Sequence, residues 1–168
     1  KIVDAKGMTI GRSQSPNQLI EGSSINSQVK DISIEDLLGR RQNKLENSKM
    51  KIFLKNQTVL ITGAGGSIGS ELARTIIPFG LKKLILLDIS ENSIFNLAQE
   101  FKNQIQKKNI SLIYCNVRNS QELENVFIKH KPNIIYHAAA LKHVFICEEN
   151  PSEAIRTNIF GTYLLASL

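Results

Sequence analysis

The sequence predicts an α/β fold with a doubly wound parallel sheet that is incomplete and follows an irregular N-terminal extension. From residue 57 onward, short β-branched or leucine-rich runs alternate with helical patterns of about ten residues or more. Such spacing requires crossover connections, which make the strands parallel and place helices on both faces of the sheet. A glycine-rich turn joins the first of these strands to the first helix. The 168 residues suffice for one domain of this kind with additional segments.

Residues 1–56 are predicted to form the N-terminal linker or extension. Residues 1–30 are rich in Gly, Ser, Asn and Gln and lack periodicity, so no independent core is expected there. A short helix is predicted near 33–39, with Ser33 as N-cap and Gly39 as the stop signal. The dinucleotide-type domain is predicted to span residues 57–168.

Hydrophobic spacing defines the elements of this domain. Four runs are short, apolar or β-branched and end at turns, which is typical of buried strands; they are 58–62, 83–88, 110–115 and 132–138. Four segments carry apolar residues at helical spacing; they are 67–79, a helix capped by Ser90 that extends through Ile105, 120–130 and 152–168.

The turn after the first strand has the spacing GxxGxxG and predicts a dinucleotide site. Gly63 would allow the tight turn, Gly66 the close approach of a pyrophosphate, and Gly69 the packing of the helix on the sheet. Backbone N–H groups near Ser67 and Ile68 would face the phosphates at the positive end of the helix dipole. A P-loop is excluded, because no Lys-Ser/Thr pair follows the last glycine.

An acidic residue stands where a dinucleotide site requires one. Asp88 ends the second strand, 19 residues after Gly69, and a carboxylate at that position accepts hydrogen bonds from ribose hydroxyls. Its charge favours NAD, because the 2′-phosphate of NADP would meet a negative group, although NADP stays open as an alternative. The turn and this carboxylate together identify the fold as Rossmann-type.

Composition argues against several other functions. The net charge is +6, but the basic residues are scattered without interleaved aromatics, so no nucleic-acid partner is predicted. No apolar run is long enough to cross a bilayer, and no secretory signal begins the sequence. Cys115 and Cys147 form no CxxC pair and are interpreted as buried thiols in a reducing, cytoplasmic environment. No metal site is predicted.

Two further motifs carry a family resemblance. HAAALKHV occupies residues 137–144 and ENPSEAIRTNIFGT occupies 149–162. With the glycine turn, they resemble the extended short-chain dehydrogenase/reductase superfamily and, within it, the UDP-N-acetylglucosamine 4,6-dehydratase family of polysaccharide biosynthesis. The segment DISIEDLLGR at 31–40 also resembles the one that precedes the dinucleotide domain in long, membrane-anchored members.

Residue by residue, the resemblance implies the rest of a cofactor site. Ser90 would join Asp88 at the adenosine ribose, and the three alanines after His137 would line the cofactor. Lys142 would reach the nicotinamide ribose or a nearby phosphate, and Asn158 would support the site from the last helix. The full predicted set is Gly63, Gly65, Gly66, Ser67, Ile68, Gly69, Asp88, Ser90, Asn116, Val117, Ala138, Ala139, Ala140, Lys142 and Asn158.

Asn116 departs from the family pattern. Members usually carry Asp-Val-Arg-Asp after the third strand, and the first Asp hydrogen-bonds the adenine amine. This chain has Asn-Val-Arg-Asn at 116–119. An Asn carbonyl can still accept a hydrogen bond, so adenine recognition is expected to survive without the charge.

The resemblance implies a redox-neutral reaction on a UDP-sugar. A hydride leaves C4 of the sugar for NAD(P), water is eliminated across C5 and C6, and the hydride returns to C6. The superfamily's proton-transfer residues follow a fifth strand beyond Leu168, so no catalytic residue is assigned and the chain alone is expected to be inactive. A homo-oligomer is expected, because an incomplete sheet leaves an exposed parallel edge that favours self-association. The protein is expected in the cytoplasm, and the resemblance implies the cytoplasmic face of the inner membrane for members that carry an anchor outside this segment.

Two alternatives stay open. An NAD-dependent nucleotide-sugar 4-epimerase of the same superfamily would differ in product, since it keeps the 6-hydroxyl of the sugar. A non-catalytic NAD-binding module would lack the Met- or Tyr-x-x-x-Lys signature that an intact enzyme carries further along the chain.

Overall fold

The computed structural model describes residues 11–12, 30–31, 47–107 and 109–168. The chain divides into two compact units, Lys1–Leu45 and Glu46–Leu168. In the first unit, β1 (Gly11–Arg12) pairs antiparallel with β2 (Lys30–Asp31). The helix predicted near 33–39 lies outside the described residues, and the domain boundary at residue 57 stays a prediction.

The second unit contains a four-stranded parallel sheet. Its strands are β3 (Thr58–Thr62), β4 (Lys83–Asp88), β5 (Ile110–Tyr114) and β6 (Ile134–His137). Their order is β5-β4-β3-β6, and every pairing is parallel. The chain builds outward from β3 to β5 and then crosses to the other side of β3, which confirms the predicted doubly wound arrangement. A ligand crevice is expected at the carboxyl ends of β3 and β6, where the winding reverses.

Helices connect these strands. They are α1 (Asn47–Leu54), α2 (Ser67–Ile76), α3 (Glu91–Glu100), α4 (Lys102–Gln106), α5 (Ser120–His130), α6 (Val144–Glu149), α7 (Pro151–Ala154) and α8 (Gly161–Ser167). A 3-10 turn at Ile77–Phe79 continues α2, and a π-helical segment at Ile155–Phe160 joins α7 to α8. None of the helices in the described ranges is long and apolar enough to cross a membrane.

Both faces of the sheet are buried, and successive residues of a strand serve opposite faces. Val59 and Ile61 of β3 belong to a core that includes Leu97 of α3. Leu60, between them, belongs to a second core that includes Leu123 of α5. Because each face needs apolar side chains, the strands have no polar alternation, which explains the continuous apolar runs in the sequence.

Several elements differ from the predicted ones. The helix predicted from Ser90 through Ile105 is interrupted at Phe101, between α3 and α4. Helix α6 is not predicted, because Val144 and Phe145 are 70% and 73% exposed and its apolar residues form no inward stripe. The helix predicted at 152–168 instead changes hydrogen-bond pattern at Ile155–Phe160. Apolar spacing does not report such a local change in winding.

Helix α1 packs on the domain although its sequence shows little apolar periodicity. Leu54, at its end, is fully buried and belongs to the core that contains Val59 and Ile76. Ile52, two residues earlier, is 80% exposed. Met50, one turn before Leu54, is partly buried against the same core, so Leu54 and Met50 attach α1 to the sheet.

We expect Leu54→Ala to lower the free energy of unfolding by about 2–5 kcal/mol, since a cavity replaces a buried leucine side chain. Ile52→Ala is the matched control on the same helix and should change it by less than about 1 kcal/mol. Urea unfolding followed by circular dichroism measures both. Equal effects of the two substitutions would contradict the packing of α1 on the core.

Candidate functional site

A cleft of about 380 Å³ lies where the winding reverses, at the carboxyl ends of the strands. Its volume is in the ordinary range for small-molecule sites. Nine of the predicted residues line it: Gly63, Gly65, Gly66, Asp88, Asn116, Val117, Ala138, Ala139 and Ala140. Six lie outside its wall: Ser67, Ile68, Gly69, Ser90, Lys142 and Asn158.

Three glycines of the turn are required by the packing of the protein itself. A Cβ at Gly63, where φ is +63°, would lie 2.6 Å from the backbone N of Ala139. A Cβ at Gly65 would lie 2.1 Å from Cβ of Ser93. A Cβ at Gly69 would lie 2.2 Å from the carbonyl oxygen of Gly63. Gly69 therefore lets the helix approach the turn, whereas the sequence predicted an approach to the sheet.

Gly66 differs from these three. A Cβ there would meet only the Gly63 carbonyl oxygen, at 3.3 Å. Gly66 is also the N-cap of α2 and supplies no side-chain cap to the first turn. The first N–H groups of α2, at Ser67 and Ile68, thus lack a capping side chain at the positive end of the helix dipole. This arrangement suits an anion.

The Asp88 carboxylate joins the turn to the neighbouring strand end. Its Oδ2 accepts a hydrogen bond from the Gly65 N–H at 2.8 Å, and its Oδ1 accepts one from the Ser90 N–H at 2.9 Å. The residue is 8% exposed. Since a carboxylate has about four acceptor positions, each oxygen retains one. Ser90 caps α3 by accepting from the Ser93 N–H, as predicted.

The loop after β5 forms the next part of the wall. Oδ1 of Asn116 accepts hydrogen bonds from the backbone N–H of Arg118 at 3.0 Å and from its Nε–H at 3.4 Å. The Arg118 guanidinium forms an ion pair with Glu153 of α7, which also pairs with Arg156 at 3.3 Å. The Arg118 guanidinium holds the pKa of the Glu153 carboxyl below its usual value. This ion pair links two walls of the cleft.

Several wall residues are not among those predicted from the sequence, including Ser93, Arg118 and Glu153. Arg118 and Glu153 carry opposite charges but lie 35 residues apart, and no spacing rule connects them. Ser93 could have been found, because it lies in the first turn of a helix that follows the predicted ribose-binding carboxylate.

His137 ties β3, β6 and α8 together. Its Nδ1 lies 2.6 Å from Oγ1 of Thr62, and its Nε2 lies 2.9 Å from Oγ1 of Thr162. Thr162 donates its proton to the carbonyl oxygen of Asn158, so Nε2 is the donor to Thr162 and Nδ1 accepts from Thr62. Burial lowers the pKa of His137, which favours this neutral form.

Asn158 holds the loop beyond β6 from the π-helical segment. Its Oδ1 accepts from the Leu141 N–H and its Nδ2 donates to the Leu141 carbonyl oxygen, both at 2.8 Å. π-Helical turns are often found at functional sites. Asn158 therefore positions the cleft wall without lining it, and Lys142, the next residue after Leu141, is exposed.

Burial of the thiol makes Cys115 an unreactive wall residue. The residue is 3% exposed. Burial raises the pKa of the thiol to about 12, and the hydrogen bond and the charge of Glu122 contribute less to this increase. Cys147 is also free and half-buried. In the described ranges, no group of three His, Cys, Asp or Glu side chains could hold a metal ion.

Comparison with known proteins gives a family match. Residues 59–168 match the family of polysaccharide biosynthesis proteins. The chain is 40% identical over 149 residues to the probable polysaccharide biosynthesis protein EpsC of Bacillus subtilis, covering 87% of this chain and 25% of EpsC. It is 39% identical over 163 residues to the capsular polysaccharide biosynthesis protein CapD of Staphylococcus aureus, covering 96% of this chain and 27% of CapD. The chain thus spans about a quarter of the length of these relatives.

Among solved structures, the chain is similar to a UDP-glucose 4-epimerase of Thermotoga maritima that was crystallised with UDP-glucose. The TM-score is 0.55 and the identity 27%, over 64% of this chain and 32% of that one.

We expect Gly66→Ala and Gly69→Ala to differ in stability. Gly66→Ala should lower the free energy of unfolding by about 1 kcal/mol. The backbone of Gly66 is extended and accepts any residue, so the loss arises only because Ala is a poorer N-cap than Gly. Gly69→Ala should cost about 3 kcal/mol or more, because its Cβ would overlap the turn. Urea unfolding of both variants measures the difference, and equal losses would show that Gly66 is also needed for packing.

Proposed function

Because this chain belongs to the family of polysaccharide biosynthesis proteins, we propose that it forms the NAD-binding part of a nucleotide-sugar 4,6-dehydratase that acts on UDP-N-acetylglucosamine. One observation carries the proposal: Asp88 and the glycine turn meet in one cleft, joined by the hydrogen bond from the Gly65 N–H to Oδ2 of Asp88. A phosphate site and a ribose site are then adjacent, as a dinucleotide requires.

The residues fit the cofactor. The space beside Gly66 is free of protein side chains, so a diphosphate would approach the uncapped N–H groups of α2. The two remaining acceptor positions of Asp88 would bind the ribose hydroxyls. The small side chains of Ala138, Ala139 and Ala140 leave room at the junction of β3 and β6. When bound, NAD would supply reversible hydride exchange with the sugar, and these residues would bind and orient it.

Ser67, Ile68 and Gly69 would contribute through the backbone of the first turn of α2. Ser90 would contribute as the N-cap that fixes the start of α3 beside Asp88. Asn158 would act as a positioning residue. Lys142 follows Leu141, whose backbone is held by the two hydrogen bonds from Asn158. From this loop, the long Lys142 side chain would reach the nicotinamide end of the cofactor.

A UDP-sugar 4-epimerase is the second candidate. The likeness to the Thermotoga maritima enzyme favours it, whereas HAAALKHV and ENPSEAIRTNIFGT favour the dehydratase. Both reactions begin at C4 of the sugar and use the same cofactor domain, so the product distinguishes them.

We also propose that the protein acts as a homo-oligomer in the cytoplasm. Phe145, Ile159, Phe160 and Tyr163 are each more than half exposed. These large apolar side chains, on α6, the π-helical segment and α8, support a surface that is covered in the working assembly.

We expect the protein to bind NAD at least tenfold more tightly than NADP, and Asp88→Asn to reduce this ratio. Loss of an acceptor for the Gly65 N–H would weaken the binding of NAD and of NADP equally. Loss of the negative charge would improve only the binding of NADP, because it removes the repulsion of the 2′-phosphate. Calorimetric titration with each cofactor gives the ratio.

Glu91→Gln is the matched control for Asp88→Asn. It removes a carboxylate from the first turn of α3, three residues away and outside the cleft wall, so the NAD-to-NADP ratio should stay at the wild-type value. A ratio that is unchanged in Asp88→Asn would refute the assignment of Asp88 to the ribose.

Incubation of the full-length protein with UDP-N-acetylglucosamine should yield a UDP-4-keto-6-deoxy sugar, lighter than the substrate by one water. Mass spectrometry of the product checks this. An isomer of unchanged mass would establish the epimerase in its place.

A further inference from the structure

We infer that Asn116 presents a hydrogen-bond donor to the base of the dinucleotide, so that the base subsite does not select the 6-amino group of adenine and accepts a 6-oxo purine at least as well. This inference rests on the proposed dinucleotide function. It concerns only which purine occupies the end of the cleft beyond Asp88.

The strand order places the base at Asn116. The diphosphate would lie at the turn after β3 and the adenosine ribose at Asp88, which ends β4. Strand β5 is the next neighbour, about 4.8 Å further along the sheet, and Tyr114 at its end pairs with Asp88. The Cys115 N–H donates to the Asp88 carbonyl oxygen at 3.0 Å. Asn116 follows directly, so the group attached to the ribose reaches it next.

The orientation of the Asn116 amide is fixed by its neighbours. Both groups near its Oδ1, the backbone N–H and the Nε–H of Arg118, are donors. A flipped amide would place its NH₂ group against two other donors, which is unfavourable. Oδ1 therefore faces Arg118 and has both acceptor positions engaged.

The amide nitrogen remains for the cleft. Asn116 is half-buried and lines the cleft wall. Within the part of the chain that the structure describes, Nδ2 of Asn116 donates to no acceptor. A bound base would thus meet two N–H hydrogens, beside the apolar side chains of Ile89 and Val117.

The chemistry of purine edges decides what such a donor prefers. A 6-oxo purine offers two adjacent acceptors, O6 and N7, where adenine offers the N6 amine, a donor, beside N7. A donor in the wall can pair with either O6 or N7 of a 6-oxo purine, whereas adenine offers it only N7 and places the opposing N6 amine beside it. On this edge of the purine a carboxylate would have the reverse preference, since it only accepts and would pair with the N6 amine.

Calorimetric titration of the full-length protein with NAD and with nicotinamide hypoxanthine dinucleotide tests this, since the two differ only in the group at C6 of the purine and in the hydrogen that the 6-oxo purine carries on N1. The wild-type protein should bind the hypoxanthine dinucleotide as tightly as NAD or more tightly. Asn116→Asp keeps an acceptor for the Arg118 N–H and turns an acceptor to the cleft, so it should shift the ratio of dissociation constants about tenfold or more toward NAD.

Asn119→Asp is the matched control. It introduces the same charge three residues away, outside the cleft wall, and Asp replaces Asn well as the N-cap of α5. The ratio of the dissociation constants for the two dinucleotides should be the same in Asn119→Asp as in the wild-type protein.

The outcomes separate the two hypotheses. If both dinucleotides bind and Asn116→Asp leaves the ratio unchanged, or if the wild-type protein prefers NAD by tenfold or more, the inference about Asn116 is wrong and the proposed function stands. If neither dinucleotide binds to any variant, the proposed function fails and this inference with it.

Discussion

The Asp88 carboxylate controls the architecture of the cleft, because its two oxygens hold the glycine turn and the loop before α3 in fixed positions. A carboxylate that is 8% exposed must be well hydrogen-bonded to be stable as a charge, and the N–H groups of Gly65 and Ser90 meet that need. The glycine turn also depends on this carboxylate for its position. Gly63, the first residue after β3, has a positive φ and lies against the backbone of Ala138 and Ala139. Folding and ligand binding therefore share one side chain, and only a comparison between ligands separates its two roles.

Polar side chains also fix the opposite wall of the cleft. Asn158 makes two hydrogen bonds to the Leu141 backbone across 17 residues, and His137 bridges Thr62 and Thr162 across 75 and 25 residues. Apolar packing alone would allow a strand end to shift, whereas paired donors and acceptors specify one position. A cleft bounded by such contacts is formed before a ligand arrives, which reduces the ordering that binding requires.

Sequence patterns predict the parts of this structure that follow from local rules. Strands β3 and β4 and helix α5 have the predicted bounds, since their apolar spacing and turn signals agree. The contact of α1 with the core was not predicted, because Met50 and Leu54 form only a short apolar pattern in a polar and basic segment. The Gly69 contact with the turn and the ion pair between Arg118 and Glu153 depend on three-dimensional proximity that spacing does not encode. Most of the predicted cleft residues came from the family resemblance, and the orientation of their side chains came only from the structure.

Asn116 and the ion pair of Arg118 with Glu153 are best understood together. Arg118 is a cation at the edge of the cleft, and Glu153, which is also paired with Arg156, compensates its charge from the other wall. A carboxylate at position 116 would place a second anion against Arg118 and compete with Glu153 for it. A neutral amide avoids this competition, keeps the link between the walls, and still satisfies the Arg118 N–H through its single oxygen. Because Oδ1 of the amide faces Arg118, its other polar atom, the donor Nδ2, faces the cleft. The charge pattern that closes the cleft and the proposed preference for the base therefore have one physical origin.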